Sequence, residues 1–410
     1  MKLIKRDDYL SVLAAVKDAP DIKILCGMRR AGKSKLMDEV ARNIRKAKPR
    51  ANVISIDMTL LKNERLHDYH VLHDYVKAHA KKTGINYLLI DEVQMCPQFE
   101  LAINSLHEER NARYDIYLTG SNAFLLSSDL TTLFTGRHHE IRTYPFSFRE
   151  FRRYFSSEKD VDRAFDRYVI EGGLAGSYLY KDESARAGYV REVYQTILRR
   201  DIVQRFKLPD SWVLERLAEF LMDNIGNVTS ANNVTTGLVA DHVPTNHVTI
   251  GNYLGYLADT YLFQELKRYD VRGRRCLEQS GKYYLMDHAI RYAVLGRRNM
   301  DYGHVYENIV CIELLRRGWR VTIGKVERWD AAARKTKSVE VDFVARKGRA
   351  VSYYQVSESI MTPATREREL ASLRAIRDNH PKFILTRDHS TADYGGIRHI
   401  NVVRWLLGEG

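Results

Sequence analysis

Cysteine is scarce in this chain, with four residues among 410, and no two of them form a C-x-x-C pair. The scattered positions Cys26, Cys96, Cys276 and Cys311 exclude the spacing of a structural zinc site or of a compact disulfide framework. No apolar run reaches 18 residues, and the first residues lack the apolar core of a signal peptide. We therefore expect a reduced, cytoplasmic protein without a membrane-spanning segment.

Internal repeats and low-complexity tracts are also missing. A length of 410 residues predicts two or three domains, each large enough to bury its own core. The formal net charge of +13 favours a polyanionic partner, with nucleic acid ahead of a membrane surface. A basic surface that serves only solubility explains the same charge equally well.

A glycine-rich segment near the N-terminus carries the clearest chemical motif. Residues 27–34 read Gly-Met-Arg-Arg-Ala-Gly-Lys-Ser and fit the phosphate-binding pattern G-x-x-x-x-G-K-[ST]. A predicted strand over 21–26 precedes the motif and a predicted helix over 34–46 follows it, which is the context that the motif requires. Glycine lets the backbone approach phosphate, and N–H groups at a helix start point toward an anion. The residues predicted to bind nucleotide are Gly27, Met28, Arg29, Arg30, Ala31, Gly32, Lys33, Ser34 and Lys35.

Two carboxylates complete the predicted nucleotide site. Asp91 and Glu92 end an apolar run that is typical of a strand buried on both faces of a parallel sheet. We expect Ser34 and Asp91 to hold magnesium, Lys33 to reach the β- and γ-phosphates, and Glu92 to act as general base. The predicted cofactors are therefore ATP and Mg²⁺.

A third predicted strand also ends in polar side chains. Ser121 or Asn122 would orient the attacking water, although an ordinary strand-to-loop turn explains them nearly as well. Arg137, in a Gly-Arg step, is predicted to contact the γ-phosphate bound by a neighbouring subunit, which implies a homo-oligomer. Arg199 and Arg200 compete for this role, and a solvated arginine is the alternative.

The pattern of predicted helices and strands changes along the chain and indicates four domains. Residues 1–155 alternate strands and helices, which predicts a parallel sheet with helices on both faces. Residues 156–210 are predicted to form a helical lid over the nucleotide. Residues 211–298 read as three helices and a basic hairpin, the order of a winged helix-turn-helix. Contact of this segment with DNA and contact with a protein partner both remain open. The predicted phosphate contacts are Arg268, Arg272, Arg274, Arg275 and Lys282.

These blocks together resemble the prokaryotic AAA-superfamily ATP-binding proteins whose C-terminal half is a shared domain of unknown function. The resemblance implies a P-loop ATPase core of the additional-strand, catalytic-glutamate type, then a winged helix and a restriction-endonuclease-like α/β domain. It spans nearly the whole chain, and the paired arginines of the phosphate loop are among its most specific features. The blocks that carry it are residues 27–34, 88–94, 118–122, 135–137, 144–151, 197–202 and 340–343.

An endonuclease-like fold implies a metal site within the last predicted domain, residues 299–410. Such folds place one acid on the first helix, one Asp on a strand and Glu-x-Lys on the next strand. Glu307 and Asp342 fit the first two positions, but the third reads Gln355 and Ser357. Without that carboxylate and that lysine, we expect cleavage to be lost or nearly lost. Replacements elsewhere in the sequence are conceivable, and the candidates nearest in sequence are Lys347, Glu367 and Glu369.

The overall expectation is an ATPase that uses nucleotide binding and hydrolysis as a switch or motor on DNA, with an inactive nuclease-like domain. Two alternatives stay open. One is a non-catalytic regulator or scaffold that binds ATP and a protein partner. The other is an active, ATP-regulated DNA nuclease. A basic helix around Arg366 and Arg368 would suit a DNA clamp or a docking surface.

Overall fold

The computed structural model describes residues 4–120, 134, 137–271, 273, 275–296, 301–330 and 334–409. Two compact units make up the chain. The N-terminal unit contains Lys2–Pro145 together with the short segment Asp259–Tyr261, and the C-terminal unit contains the remainder. No helix within the described residues is both long enough and apolar enough to cross a membrane.

A five-stranded sheet forms the centre of the N-terminal unit. All neighbouring strands run parallel, in the order β2-β3-β4-β1-β5. Strand β4 follows β3 in sequence and lies between β3 and β1 in the sheet. The predicted parallel α/β core is confirmed. The strands are β1 (Ile22–Cys26), β2 (Asn52–Asp57), β3 (Ile85–Asp91), β4 (Arg113–Thr119) and β5 (His138–Arg142).

Helices cover both faces of this sheet because alternate strand residues point to opposite sides. On β3, Leu88 and Ile90 join one apolar core, while Tyr87 and Leu89 join the core on the other face. The helix after the phosphate loop places the predicted apolar residues, Leu36 to Ile44, in the second core. Among the described residues of this unit, the α-helices are Asp7–Ala15, Lys33–Ala47, Tyr69–His79 and Phe99–His107.

Helices dominate the first half of the C-terminal unit. A π-helical stretch, Ile197–Gln204, continues directly from the helix Glu183–Thr196. Three helices follow at the positions predicted for the winged-helix segment. In chain order the helices of this unit are Phe148–Tyr154, Val161–Glu171, Glu183–Thr196, Trp212–Asp223, Ala231–Ala240, His247–Asp259, Ala289–Leu295, Tyr302–Arg316, Pro363–Arg374 and Val402–Leu407.

An eight-stranded mixed sheet forms the second half of the C-terminal unit, in the order β12-β13-β11-β10-β9-β8-β6-β7. The helix Pro363–Arg374 packs Leu370 and Leu373 against its apolar face. The strands are β6 (Phe263–Asp270), β7 (Arg275–Leu285), β8 (Arg320–Asp330), β9 (Lys335–Lys347), β10 (Ala350–Val356), β11 (Lys382–Thr386), β12 (Ala392–Asp393) and β13 (Ile397–Asn401).

The predicted boundary at residue 298 does not separate two sheets. Strand β6 of the basic hairpin pairs in parallel with β8, with Arg268 opposite Ile323 and Asp270 opposite Lys325. The hairpin is therefore the edge of the C-terminal sheet. This pairing joins the segments predicted as winged helix and last domain, and the segment predicted as lid belongs to the same compact unit.

Candidate functional site

The phosphate-binding segment connects β1 to the helix Lys33–Ala47 through backbone conformations that favour glycine. Gly27 has a φ of 132°, and a Cβ atom there would lie 2.1 Å from the carbonyl oxygen of Thr143. Gly32, with a φ of 97°, is the N-cap of the helix. A side chain at either position would strain the loop, so both glycines of the motif are structurally required.

Lys33 is buried within this loop, with 4 % of its surface exposed. Its ammonium group donates hydrogen bonds to the carbonyl oxygens of Gly27 at 2.8 Å and Met28 at 3.0 Å. Burial lowers the pKa of Lys33, and the nearby charges of Glu92 and Asp91 oppose that shift. The ammonium is thus held by neutral backbone groups near two carboxylates.

Hydroxyl groups surround Asp91 at the carboxyl end of β3. Thr119, at the end of the neighbouring β4, donates a hydrogen bond to Asp91, and the Ser34 hydroxyl bonds to the same carboxylate. Burial raises the pKa of Asp91, while these two hydrogen bonds act in the opposite direction. The geometry brings together Ser34 and Asp91, the two residues predicted to hold magnesium.

Glu92 begins the turn after β3 with a left-handed φ of 53°. Its backbone N–H donates to the Thr119 hydroxyl at 3.0 Å, and its carboxylate accepts a hydrogen bond from Gln94. Thr119 therefore joins both acids of the predicted site. The sequence analysis missed Thr119 and Gln94, although a polar residue at the end of an apolar strand was a usable signal.

Arg6 also supports the phosphate loop, and nothing in the local sequence indicates this role. Its guanidinium donates to the carbonyl oxygens of Ala31 and Tyr144, both at 2.9 Å, and lies 4.3 Å from the centre of the Tyr9 ring. The backbone N–H of Tyr144 in turn donates to the Tyr9 hydroxyl. These contacts join segments 25 and 138 residues apart in sequence, a distance at which motif spacing carries no signal.

The donor set fits a nucleotide with magnesium. Mg²⁺ prefers oxygen ligands and often takes only one or two from the protein, the others being water and phosphate. The Ser34 hydroxyl and Asp91 carboxylate supply two adjacent oxygens. The helix that begins at Lys33 directs its first N–H groups to the same edge of the sheet. No cluster of three metal-binding side chains occurs in the described part of the chain.

The arginine predicted to act between subunits lies far from this edge of its own subunit. Arg137 directly precedes β5, and its carbonyl oxygen accepts from Ile22 at the start of β1. It therefore lies at the amino end of the sheet, where it forms an exposed ion pair with Glu108. Contact with the phosphates of its own subunit is excluded, and contact with those of a neighbour stays a prediction. Ser121 and Asn122 lie outside the described residues.

One predicted DNA contact on the hairpin is wrong. Lys282 is 3 % exposed and is held by Glu307 and Glu340, so it cannot face a phosphate backbone. Arg268 is half-buried within the paired part of β6. Arg272 and Arg274 lie outside the described residues, as does the side chain of Arg275. The prediction for these three arginines therefore still depends on the sequence.

The nuclease-like residues converge in the C-terminal unit. Glu307 is buried on the helix Tyr302–Arg316, and Asp342 is buried on β9. Gln355 lies on the neighbouring β10, where its side-chain oxygen is 3.4 Å from the backbone nitrogen of Asp342. Ser357 follows β10, and its hydroxyl donates to the carbonyl oxygen of Ser359. The four predicted positions therefore lie in one region. Positions 355 and 357 carry neither the carboxylate nor the lysine of the Glu-x-Lys pattern.

Of the proposed replacements, only Glu369 reaches this region. It accepts a hydrogen bond from Gln355 at 3.0 Å. Lys347 instead donates to the carbonyl oxygen of Arg317, and Glu367 pairs with Arg374 on an exposed helix face. The lysine that the structure does bring to the acids is Lys282, which sequence proximity could not indicate.

Comparison with known proteins assigns the N-terminal unit. Residues 19–152 match the AAA domain family, and residues 162–301 match a domain of unknown function, DUF8612. An uncharacterized protein of Haemophilus influenzae is 32 % identical over 411 residues, which cover 99 % of both chains. The chain belongs to the family of that protein. An uncharacterized protein of Methanocaldococcus jannaschii is 25 % identical, over 92 % of this chain and 82 % of its own.

Two solved structures illustrate the more distant resemblances of this chain. The ORC1 protein of Aeropyrum pernix in complex with DNA is 14 % identical, covering 77 % of this chain and 94 % of its own, with a TM-score of 0.33. AMPPCP-bound DnaA from Aquifex aeolicus is 12 % identical, covering 63 % and 89 %, with a TM-score of 0.31. Scores below 0.5 do not establish a shared overall fold, so the AAA family match is what assigns the N-terminal unit.

The DUF8612 segment contains two regions of opposite charge. Residues 211–261, which hold the three helices, carry five acidic side chains and one arginine, a net charge of −4. Residues 263–285, the hairpin, carry six basic and three acidic side chains, a net charge of +3. The third helix, His247–Asp259, contains no lysine or arginine. Of these two regions, only the hairpin carries a net charge that would attract nucleic acid.

Proposed function

We propose that this chain is a magnesium-dependent ATPase whose activity is coupled to DNA. The observation that carries the proposal is the hydrogen-bond network at the carboxyl edge of the N-terminal sheet. There Thr119 connects Asp91 and Glu92, and Asp91 contacts Ser34 of the phosphate loop. Bound metal would supply charge neutralisation for the phosphates and for the leaving group.

Each residue of the site has a separate role in this proposal. Ser34 and Asp91 hold the metal, and Lys33 leaves its backbone carbonyls to contact the β- and γ-phosphates. Glu92 accepts the proton of the attacking water, while Gln94 and Thr119 fix its orientation. Arg6 holds Ala31 in place and acts as a positioning residue for the loop.

Steady-state ATP hydrolysis by the purified full chain tests this assignment. Lys33→Ala should abolish ATP binding, because no ammonium remains to bind the phosphates. Glu92→Gln should still bind ATP but hydrolyse it ~10²–10⁴-fold more slowly, because the general base is removed. Glu64→Gln, which neutralises an exposed acid of the same unit, is the matched control. Unchanged turnover in Glu92→Gln would remove Glu92 as the base.

DNA coupling is the second part of the proposal, and the hairpin charge supports it. The hairpin forms the edge of the C-terminal sheet and carries five basic side chains besides the buried Lys282, whereas the three helices before it are acidic and would repel a polyanion. We assign the three helices and the hairpin to a winged-helix fold and the remaining sheet to a restriction-endonuclease-like fold without cleavage. The same ATPase measurements with single-stranded and duplex DNA present should show stimulation in the wild type.

A protein-binding regulator is the alternative that one observation favours. The acidic three-helix segment exposes Trp212, Val239 and Val248, and apolar surface within an acidic region suits a protein partner better than DNA. This second function would be favoured if the rate of ATP hydrolysis were the same with and without either form of DNA, and if DNA affinity did not change with salt concentration.

A further inference from the structure

Lys282 lies where two strands and a helix of the C-terminal unit meet. From β7, its ammonium nitrogen is 3.0 Å from Glu307 Oε1 on the helix Tyr302–Arg316 and 2.7 Å from Glu340 Oε1 on β9. Burial alone would lower the pKa of Lys282, but the charges of Glu307, Asp342 and Glu340 outweigh burial and raise that pKa. The lysine is therefore a bound cation among carboxylates.

Glu307 has its remaining hydrogen-bonding capacity filled by other side chains. Tyr284, two residues beyond Lys282 on the hairpin, donates to Glu307 Oε1 at 2.6 Å. His304 lies 3.4 Å from Oε2. Gly226 lies so close that a Cβ atom there would be 2.9 Å from Oε2. Glu307 is thus enclosed by hydrogen-bond donors and backbone on both carboxylate oxygens.

We propose that the Lys282 ammonium takes the place of a divalent cation between Glu307 and Glu340, beside Asp342. The nuclease-like acid cluster is then a metal-independent junction that fixes the basic hairpin to the C-terminal sheet. The position of the lysine supports this inference, because it comes from the hairpin and not from β10, where an endonuclease-like fold would carry it. A second cation cannot approach Glu307 without displacing Lys282 or lying against it, and like charges at such distances repel.

Removing one partner of a buried ion pair leaves an unpaired buried charge, which is strongly destabilising. The fold therefore requires Glu307 opposite Lys282 whether or not metal binds, although the Glu-x-Lys position reads Gln355 and Ser357. Without the ammonium, Glu307 and Glu340 are left as two neighbouring carboxylates, and a divalent ion often takes only one or two such ligands from a protein.

The test uses the full chain without nucleotide, in a Lys33→Ala background that removes metal binding linked to ATP. Lys282→Met keeps the length of the side chain and removes its charge, while Lys282→Arg keeps the charge. Lys267→Met neutralises an exposed lysine on the paired strand of the same hairpin and serves as the matched control. Thermal unfolding in EDTA and in 10 mM Mn²⁺, with Mn²⁺ binding by calorimetry, provides two independent readouts.

We expect no Mn²⁺ binding to the parent protein, Lys282→Arg or Lys267→Met. Lys282→Met should unfold at a lower temperature in EDTA and regain about 4 °C or more in Mn²⁺, with one ion bound per chain. The added Asp342→Asn change should abolish that gain. Mn²⁺ binding by the parent protein that disappears in Asp342→Asn would overturn the proposal, even if Lys282→Met failed to fold. Folded Lys282→Met without metal binding would overturn it as well.

Discussion

Each unit of this protein contains a buried lysine near two or more carboxylates, and the two lysines are held in opposite ways. Lys33 donates to backbone carbonyl oxygens, and its pKa is lowered by burial. Lys282 donates directly to Glu307 and Glu340, and their charges raise its pKa. The two lysines, each close to acidic residues, therefore lie in two different electrostatic environments.

The difference separates a ligand site from a structural junction. In the N-terminal unit, hydroxyl groups bond to Asp91, so its negative charge is not neutralised by a cation of the protein. In the C-terminal unit the protein supplies its own cation to Glu307. We therefore expect substitutions in the first region to change chemistry and those in the second to change stability.

The largest effect on activity is expected at a residue outside both sites. Arg137→Ala should lower kcat by ~10³–10⁵-fold if Arg137 contacts the γ-phosphate bound by a neighbouring subunit. Arg113→Ala, an arginine at the same amino edge of the sheet, is the control. Mixing Arg137→Ala with Lys33→Ala protein should restore part of the activity. Normal turnover by Arg137→Ala alone would end this assignment and direct attention to Arg199 and Arg200.

Glu307→Gln should lower the stability of the protein and leave ATP hydrolysis almost unchanged, because Glu307 belongs to the C-terminal junction and not to the nucleotide site. It removes one of the two carboxylates that hold the buried Lys282 ammonium and leaves Glu340, so the cost in unfolding free energy should lie at or below about 3–5 kcal/mol, the cost of a fully broken buried pair. Glu219→Gln breaks the exposed pair with Arg216 and should cost at most about 1 kcal/mol. Urea unfolding measures both costs. Equal costs would mean that the buried Lys282–Glu307 pair stabilises the fold no more than an exposed ion pair does.

A smaller effect is expected on DNA affinity from the hairpin tip. Replacing Arg272, Arg274 or Arg275 by Ala should reduce the slope of log affinity against log salt by roughly one unit for each phosphate that the protein no longer binds. Lys282→Arg should leave that slope unchanged, since its side chain is buried. Fluorescence anisotropy with a labelled duplex measures the slopes. Affinity that survives replacement of all three arginines would indicate a protein-binding module instead.

The smallest effect is a pH dependence of stability at the nucleotide site. Burial raises the pKa of Asp91, so its neutral form stabilises the folded state below about pH 4, and this contribution is lost as the pH rises through the raised pKa. Asp91→Asn, which cannot ionise, should therefore raise the unfolding temperature of the nucleotide-free protein by about 2 °C at pH 8 and by less at pH 5. A difference independent of pH would contradict the assigned cause. With Mg-ATP present, only the wild type should gain stability.

The N-terminal unit could be predicted closely because its signals are local. The loop motif, the helix that buries Leu36 and Met37, and the carboxylates after β3 each occupy a short segment. Thr119 and Arg6 were missed because their roles depend on contacts between distant segments. Strand order brings Thr119 to Asp91, and folding of the N-terminal helix brings Arg6 to Ala31.

The C-terminal unit was harder to predict for the same physical reason. The individual helices and strands follow their sequence patterns, but the pairing of β6 with β8 is set by packing over more than 50 residues. The sequence predicted Lys282 as a DNA contact, whereas the folded protein buries it beside Glu307. The pairing of β6 with β8 also joins the segments predicted as winged helix and last domain.

Counting the Mn²⁺ ions bound to the wild-type chain, by electron paramagnetic resonance with and without a non-hydrolysable ATP analogue, tests the contrast between the two sites most directly. We expect one bound ion per chain that appears only with the nucleotide and disappears in Asp91→Asn. We expect no ion bound to the C-terminal acids. An ion that binds without nucleotide and disappears in Asp342→Asn, or a nucleotide-dependent ion that survives Asp91→Asn, would contradict this contrast.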